Sequence, residues 1–423
     1  MARRVVITGV GVVSPVGNSV KSSYNNLIQG KSGIRRIQSF DLTDVPDSIS
    51  KVAGEVDIGE GEGQFNPDLF IEKKDQRKNG KFIWFALGAA EEAITDAGLK
   101  DLSEDDKKDV GVMIGSGIGG LDYIQHSCED YVRKGITKIS PFFVPASLIN
   151  LTTGQISIKY GFTGPNQSAV TACASGAHAI GDTARMIADG DFEIGVAGGA
   201  ESTICELGVG GFNAMKALST AYNNEPSVAS RPWDKGRDGF VIAEGSGVMV
   251  LEEYEHAKKR GVKIYAEVVG YGSSGDAYHI TAPHPEGKGQ LLAMQRALKK
   301  AGIEPNKIGY INAHGTSTPM GDKCEFASIK SIFSDCLQNI SMSSTKSATG
   351  HALGAAGALE TIFSIQAMNN GILPPTLNLN DLDENCVGID LIPLKAKEKK
   401  VEYIMSNSFG FGGTNASLIL KKV

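Results

Sequence analysis

The chain alternates short β-branched runs with longer amphipathic stretches, the pattern of an α/β protein whose sheets are covered on both faces. Nearly unbroken apolar runs predict buried strands at Val5–Val13, Val110–Ile114, Glu193–Ala197, Gly247–Leu251, Ile264–Val269, Ile308–Asn312, Tyr403–Ser406 and Ala416–Leu420. Apolar positions at helical spacing predict helices at Phe82–Ala97, Ala174–Ala188, Gly289–Ala301 and Ala352–Asn369. The segment 134–150, punctuated by proline, reads as loop.

The pattern repeats. A helix ending at Leu99 leads into a strand and the turn Gly115–Ser116–Gly117; a helix ending at Ile303 leads into a strand and His314–Gly315–Thr316. Thr171–Ala172–Cys173 opens a helix of small residues, and Ser344–Thr345–Lys346, followed by Gly350–His351–Ala352, is its expected counterpart. Each half closes on an apolar strand. A duplicated α/β unit accounts for this, with halves 1–255 and 256–423 packing helices between two sheets.

Composition narrows the class. With 423 residues, 41% hydrophobic and 21% charged, the chain is globular and long enough for two domains' worth of core. The 52 glycines follow no Gly-X-Y period and gather at the ends of apolar runs, where backbone must turn or approach something closely. A net charge of −6 argues against nucleic acid as partner, and no uncharged run is long enough to span a membrane. The opening MARRVVITGVGVVSPVG imitates a signal peptide, but Thr8, Gly9 and Gly11 interrupt it, so it reads as a first strand. Six cysteines without a C-x-x-C pair make a zinc site or disulfide scaffold unexpected. A reduced, cytoplasmic enzyme without catalytic metal is expected.

Gly115, Gly117 and Gly120 satisfy G-x-G-x-x-G between a strand and the helical segment LDYIQHSCEDYV, the setting of a dinucleotide loop. The second strand with its terminal acid, due about 20 residues on, is missing. The turn is therefore read as a pocket wall, and no nucleotide cofactor is expected. Cys173 ends an apolar run and starts a helix of small residues, where the helix dipole would favour thiolate. It is a candidate nucleophile, against the alternative of a small buried hydrophobe. His314 ends a strand and His351 precedes a helix, both among glycines. Neutral imidazoles there could donate to a developing enolate oxygen; either could also be structural. Lys346 suits an ion pair with Glu360 better than Schiff-base chemistry. The glycines of 408–415 would present backbone N–H groups as an oxyanion hole or a gate, or form an ordinary turn.

VTACASGAHAIG, HGTSTPMGD, KSATGHALGAAG and NSFGFGGTN, in that order, closely resemble the four active-site segments of β-ketoacyl-[acyl-carrier-protein] synthases, most strongly the synthase II branch. RRVVITGVGVVSPVGN and SRPWDKGRDGFVIAEGSGVMVLEEYEHAKKRG extend the resemblance over the whole chain. It implies a thiolase-like fold, two similar α/β halves in five α-β-α-β-α layers, working as a homodimer. It implies that Cys173 takes an acyl chain from acyl carrier protein as a thioester. His314 and His351 would assist malonyl decarboxylation, with Lys346 and Glu360 as their charge network. Cys173 and Phe411 amides would hold the oxyanion, Phe411 acting as a gate. Thr316 and Thr318 would meet the malonyl group; Ile118 and Phe212 would shape the acyl pocket. Lys74, Arg77, Lys78 and Lys216 resemble the patch that docks the acidic carrier protein, and equally suit a solvated face. A monovalent cation near Asn312, Glu360 and Ser406 is a further family feature.

The sequence departs from the family at Asn213 and Met215, where Gly and Ala are common, which bears on chain length. A degradative thiolase would need a second cysteine where Phe411 stands, and a synthase III would have asparagine in place of His351. A non-catalytic chain-length partner would have lost Cys173.

Overall fold

The computed structural model describes residues 3–61 and 63–423. Its centre is a ten-stranded sheet built from two groups of five. The first group comprises β1 (Val5–Val13), β2 (Val110–Gly115), β3 (Asn166–Gln167), β4 (Ile194–Glu201) and β5 (Gly245–Glu253). The second comprises β6 (Ala266–Gly275), β7 (Ile308–Asn312), β8 (Ser341–Ser343), β9 (Tyr403–Gly410) and β10 (Thr414–Lys421). In space the order is β3-β2-β4-β5-β1 and then β6-β10-β9-β7-β8. Directions match as well: β4/β5 and β9/β10 are antiparallel, whereas β2/β4 and β7/β9 are parallel. The groups join through a two-residue antiparallel pairing, Val6 with Glu267 and Ile7 with Ala266.

Helices complete the layers. The outer helix α1 (Lys81–Asp96) packs on β1, β4 and β5, and α4 (Lys288–Ala301) packs on β6 and β10. Between the two groups lie α3 (Ser175–Asp189) and α6 (Ala356–Asn370), each touching strands of both. Two more helices, α2 (Leu121–Lys134) and α5 (Pro319–Ile332), follow β2 and β7. Glycine permits the closest contacts: a Cβ on Gly9 or Gly11 would fall 2.2 or 2.0 Å from a carbonyl oxygen of α1. Gly270 and Gly272 stand in the same relation to α4, at 2.5 and 2.1 Å. Separate apolar clusters fill the layers, with Phe82 and Phe85 on one outer side, Ile180 and Ile362 in the centre, and Met294 and Phe326 on the other.

The expected strands Val5–Val13 and Ile308–Asn312 are observed with those bounds. Others run further than their apolar pattern: β9 continues through Ser406–Gly410, because pairing with β10 stabilises residues of poor strand propensity. The segment read as loop holds a short helix, Phe143–Ser147. The counterpart expected for Thr171–Cys173 also changes. A 3-10 turn at Ala172–Ala174 leads into α3, and a 3-10 turn at Leu353–Ala355 leads into α6. Each opens on a non-glycine residue of positive φ, Ala172 at 49° and Leu353 at 45°. Residue Cys173 therefore corresponds to Gly354, not to Lys346. Among the described residues, no helix is long and apolar enough to cross a membrane.

Candidate active site

Cys173 sits in the 3-10 turn that feeds α3 and lines a cavity of about 370 Å³ together with His314, His351, Thr316, Thr318 and Phe411. The positive φ of Ala172 turns the chain sharply just before the sulfur. The amides of Phe411 and of Cys173 itself bear on Sγ. Next to them Gly410 leaves room: an ideal Cβ there would lie 2.8 Å from the Thr171 carbonyl oxygen and 3.1 Å from the Cys173 nitrogen. Burial pushes the Cys173 thiol up to about 12, against the pull of Lys346 and of the two amides. The helix-dipole expectation of a thiolate is thus corrected, because desolvation of the charged form outweighs the dipole. Cys173 is one of six unpaired cysteines and, among the described residues, the only cysteine on the cavity wall.

The two histidine rings stand edge to face, centroids 5.2 Å apart, with Phe240 against His351 and Phe409 against His314. Nδ1 of His314 and both ring nitrogens of His351 are buried without a hydrogen-bond partner. Burial and the charge of Lys346 hold both rings well below the usual imidazole range, so both are neutral. Neutrality was expected from a helix N-terminus, but His351 sits in an isolated bridge with Ile242, before the 3-10 turn. Lys346 and Glu360 are both buried and bound to each other. Burial raises the Glu360 carboxyl to about 7.

Three buried carboxylates without an assigned role hold loops around the site. Glu325 on α5 accepts the backbone N–H groups of His314, at 2.8 Å, and Gly315, at 2.7 Å. Burial raises its carboxyl to about 7. Asp322, one turn earlier, accepts the N–H groups of Ser317 and Trp233. Glu201, at the end of β4, accepts from Gly117, Ile118 and Gly119 in the glycine turn. Those are the donors a dinucleotide phosphate would need, so the turn is internally occupied and the glycine fingerprint carries no cofactor site. A usable signal was present: Glu201 is the sole charge ending the run IGVAGGAE.

Other expected residues divide. Phe212 lines the cavity, its ring 6.3 Å from that of Phe411, and Lys216 lines it too. Thr316 and Thr318 face it with hydroxyls 3.0 Å apart. Glu360 does not line it and is instead the buried partner of Lys346. Ile118 is exposed on its turn and is not part of the lining, because Glu201 fixes the turn's backbone beside the cavity rather than in it. Lys74, Arg77 and Lys78 lie on and after the short helix Lys73–Gln76, away from the lining; Lys74 pairs with Glu72 and Lys78 with Asp75. Met215 lines the cavity, and Asn213 is tied to Ser48 and Ser50. Asn312 Oδ1, Glu360 Oε2 and Ser406 Oγ are buried without partners, a donor set of neutral and anionic oxygens that fits a monovalent cation.

Comparison with known proteins agrees with this geometry. Residues 2–257 match the model of the β-ketoacyl synthase N-terminal domain, and residues 265–380 that of the β-ketoacyl synthase C-terminal domain. A 3-oxoacyl-[acyl-carrier-protein] synthase 2 of Rhizobium meliloti is 52% identical over 99% of both chains. The mitochondrial 3-oxoacyl-[acyl-carrier-protein] synthase of Arabidopsis thaliana is 50% identical, over 100% of this chain and 94% of its own. The crystal structure of a β-ketoacyl synthase from Burkholderia phymatum superposes with a TM-score of 0.90, at 36% identity and complete coverage of both chains. A type II polyketide ketosynthase in complex with its acyl-carrier protein gives 0.90 at 32% identity, again over both whole chains. Two domain models in succession and relatives matched from end to end place this protein: the chain belongs to the β-ketoacyl synthase family.

Proposed function

We propose that the chain is an acyltransferase of fatty acid chain elongation that condenses an acyl group on Cys173 with malonyl carried by acyl carrier protein. The observation that carries this is the convergence of Cys173, two neutral histidines and the amides of Phe411 and Cys173 on one cavity.

In the first step Sγ of Cys173 attacks the thioester of acyl carrier protein, and the thiol proton leaves on the released carrier thiol. The Cys173 and Phe411 amides hold the oxyanion of the tetrahedral intermediate. In the second step the malonyl carboxylate departs as CO2, its bonding pair forming an enolate. His314 and His351, kept neutral by burial and Lys346, donate to that oxygen without competing as cations. The enolate carbon attacks the Cys173 thioester, the carbon–sulfur bond breaks, and Cys173 regains a proton from solvent. The products are 3-oxoacyl carrier protein, CO2 and free carrier.

Thr316 and Thr318 are assigned to the malonyl group, Phe212 to the acyl pocket, and Phe411 to gating. Lys346 and Glu360 act through the histidines. Asn312, Glu360 and Ser406 would hold a monovalent cation whose charge offsets Glu360. Lys74, Arg77, Lys78 and Lys216 are proposed to dock the acidic carrier protein. The halves divide at 255/256, and two copies pair through the exposed sheet edge Asn166–Gln167, near which Ile158 and Val170 are exposed. The cytoplasm is the proposed compartment. The test is incubation with acyl and malonyl carrier proteins: mass spectrometry should find a product two carbons longer with a 3-oxo group, and stoichiometric CO2. Decarboxylation without chain extension would refute the reading.

A further inference from the structure

The duplicated fold brings two equivalent bends to the centre of the molecule, and they differ in what lies over their amide. At Cys173 the residue ending the neighbouring strand β9 is Gly410, whose missing side chain leaves the Cys173 N–H open. At Gly354 the residue ending the equivalent strand β4 is Glu201, and its Oε2 accepts the Gly354 N–H at 3.0 Å. The same oxygen accepts from Gly117 at 2.7 Å; Oε1 accepts from Ile118, Gly119 and the Ser116 hydroxyl at 3.2, 3.0 and 2.9 Å. Glu201 is fully buried, which raises its carboxyl above the usual range, but every partner is a donor and favours the ionised form. No cation pairs with it among the described residues.

We infer that Glu201 is a built-in anion filling the second copy of the oxyanion pocket, and that it is a positioning residue for acyl transfer to Cys173. Its carboxylate ties the turn of the first half to the bend of the second. Both flank the nucleophile: Leu353 lines the cavity and packs in the same apolar cluster as Cys173, while a Cβ on Gly117 would stand 3.4 Å from the Ala172 carbonyl oxygen. Backbone contact leaves no slack, since a Cβ on Gly354 would meet the Gly117 nitrogen at 2.2 Å. The malonyl side, His314 and Gly315, is held instead by Glu325. Loss of Glu201 should therefore weigh on acylation more than on decarboxylation.

The inference rests on the condensing activity proposed above, so wild-type turnover is measured first; without it, that reading fails and not this one. In Glu201→Ala, single-turnover acylation of Cys173 should fall about tenfold further than malonyl decarboxylation falls. Added formate or acetate, against chloride at equal ionic strength, should restore acylation saturably by at least about fivefold in this variant and leave wild type unchanged. Equal losses in both steps with no carboxylate rescue would reduce Glu201 to a structural residue and overturn the inference. Should the variant not fold, hydrogen exchange of the wild type decides: the amides of residues 117–119 must be among the slowest, and rapid exchange there overturns it.

Discussion

Cys173 and Gly354 occupy equivalent bends of the two halves, and the two are furnished in opposite ways. Strand order, strand direction, glycine contacts to the outer helix and the positive-φ residue that opens the 3-10 turn are common to both. One bend carries the proposed nucleophile beneath an open amide, while the other carries glycine beneath a carboxylate. The difference shows how a duplicated scaffold yields a single reaction centre. An open amide pair beside a sulfur waits for a substrate's developing charge, whereas the filled copy stabilises the join between halves. The histidines sharpen the contrast, since both come from the second half and face the first half's cysteine.

The comparison can be broken at several points. The largest effect is expected from Cys173→Ala, which should abolish acyl-enzyme formation and lower condensation by about 10³-fold or more with the fold intact, as circular dichroism would confirm. Next, Gly410→Ala would crowd the open bend, placing a methyl group against Thr414 Oγ1, the Thr171 carbonyl oxygen and the Cys173 amide, at 2.6, 2.8 and 3.1 Å. A loss of about 10²-fold in kcat is expected, with thermal unfolding showing whether the fold absorbs the contact. A near-wild-type rate would show that this amide holds no oxyanion.

Smaller effects test the supports. Glu325→Gln leaves the His314 and Gly315 amides facing a poorer acceptor, and decarboxylation should fall about tenfold, more than acylation does. Equal losses in the two steps would contradict the division of labour between the halves. The histidines also predict a pH effect on stability. Both are held well below 6.5, so the folded state binds fewer protons than the unfolded one. Their contribution is complete above the unfolded value and is lost as pH falls through the folded one. His351→Gln should therefore flatten the decline of stability between about pH 7 and pH 5, by on the order of 1 kcal/mol in urea titrations.

Much of this was legible in the residues. Apolar runs such as Val5–Val13 marked strands because both sheet faces are buried, and small residues after Cys173 marked a crowded bend. The protonation of that cysteine was not legible: helix position is local in sequence, while burial is set by how distant segments pack, and it outweighs the opposing pull of Lys346 and the Phe411 amide. Glu201 and Glu325 were missed because a carboxylate in sequence reads as solvated. They are satisfied by backbone donors gathered from both halves, for Glu201, or from the loop after β7, for Glu325. The true counterpart of Cys173 was hidden for a related reason, since the shared feature is a backbone conformation carried by Ala172 and Leu353, not a residue type.

The most direct test of the central claim is peptide-mapped mass spectrometry after incubation with a long-chain acyl carrier protein. The account predicts one acyl group, located on Cys173, absent in Cys173→Ala, and discharged when malonyl carrier protein is added. An adduct on any other residue, or none from folded protein with a competent donor, would contradict it.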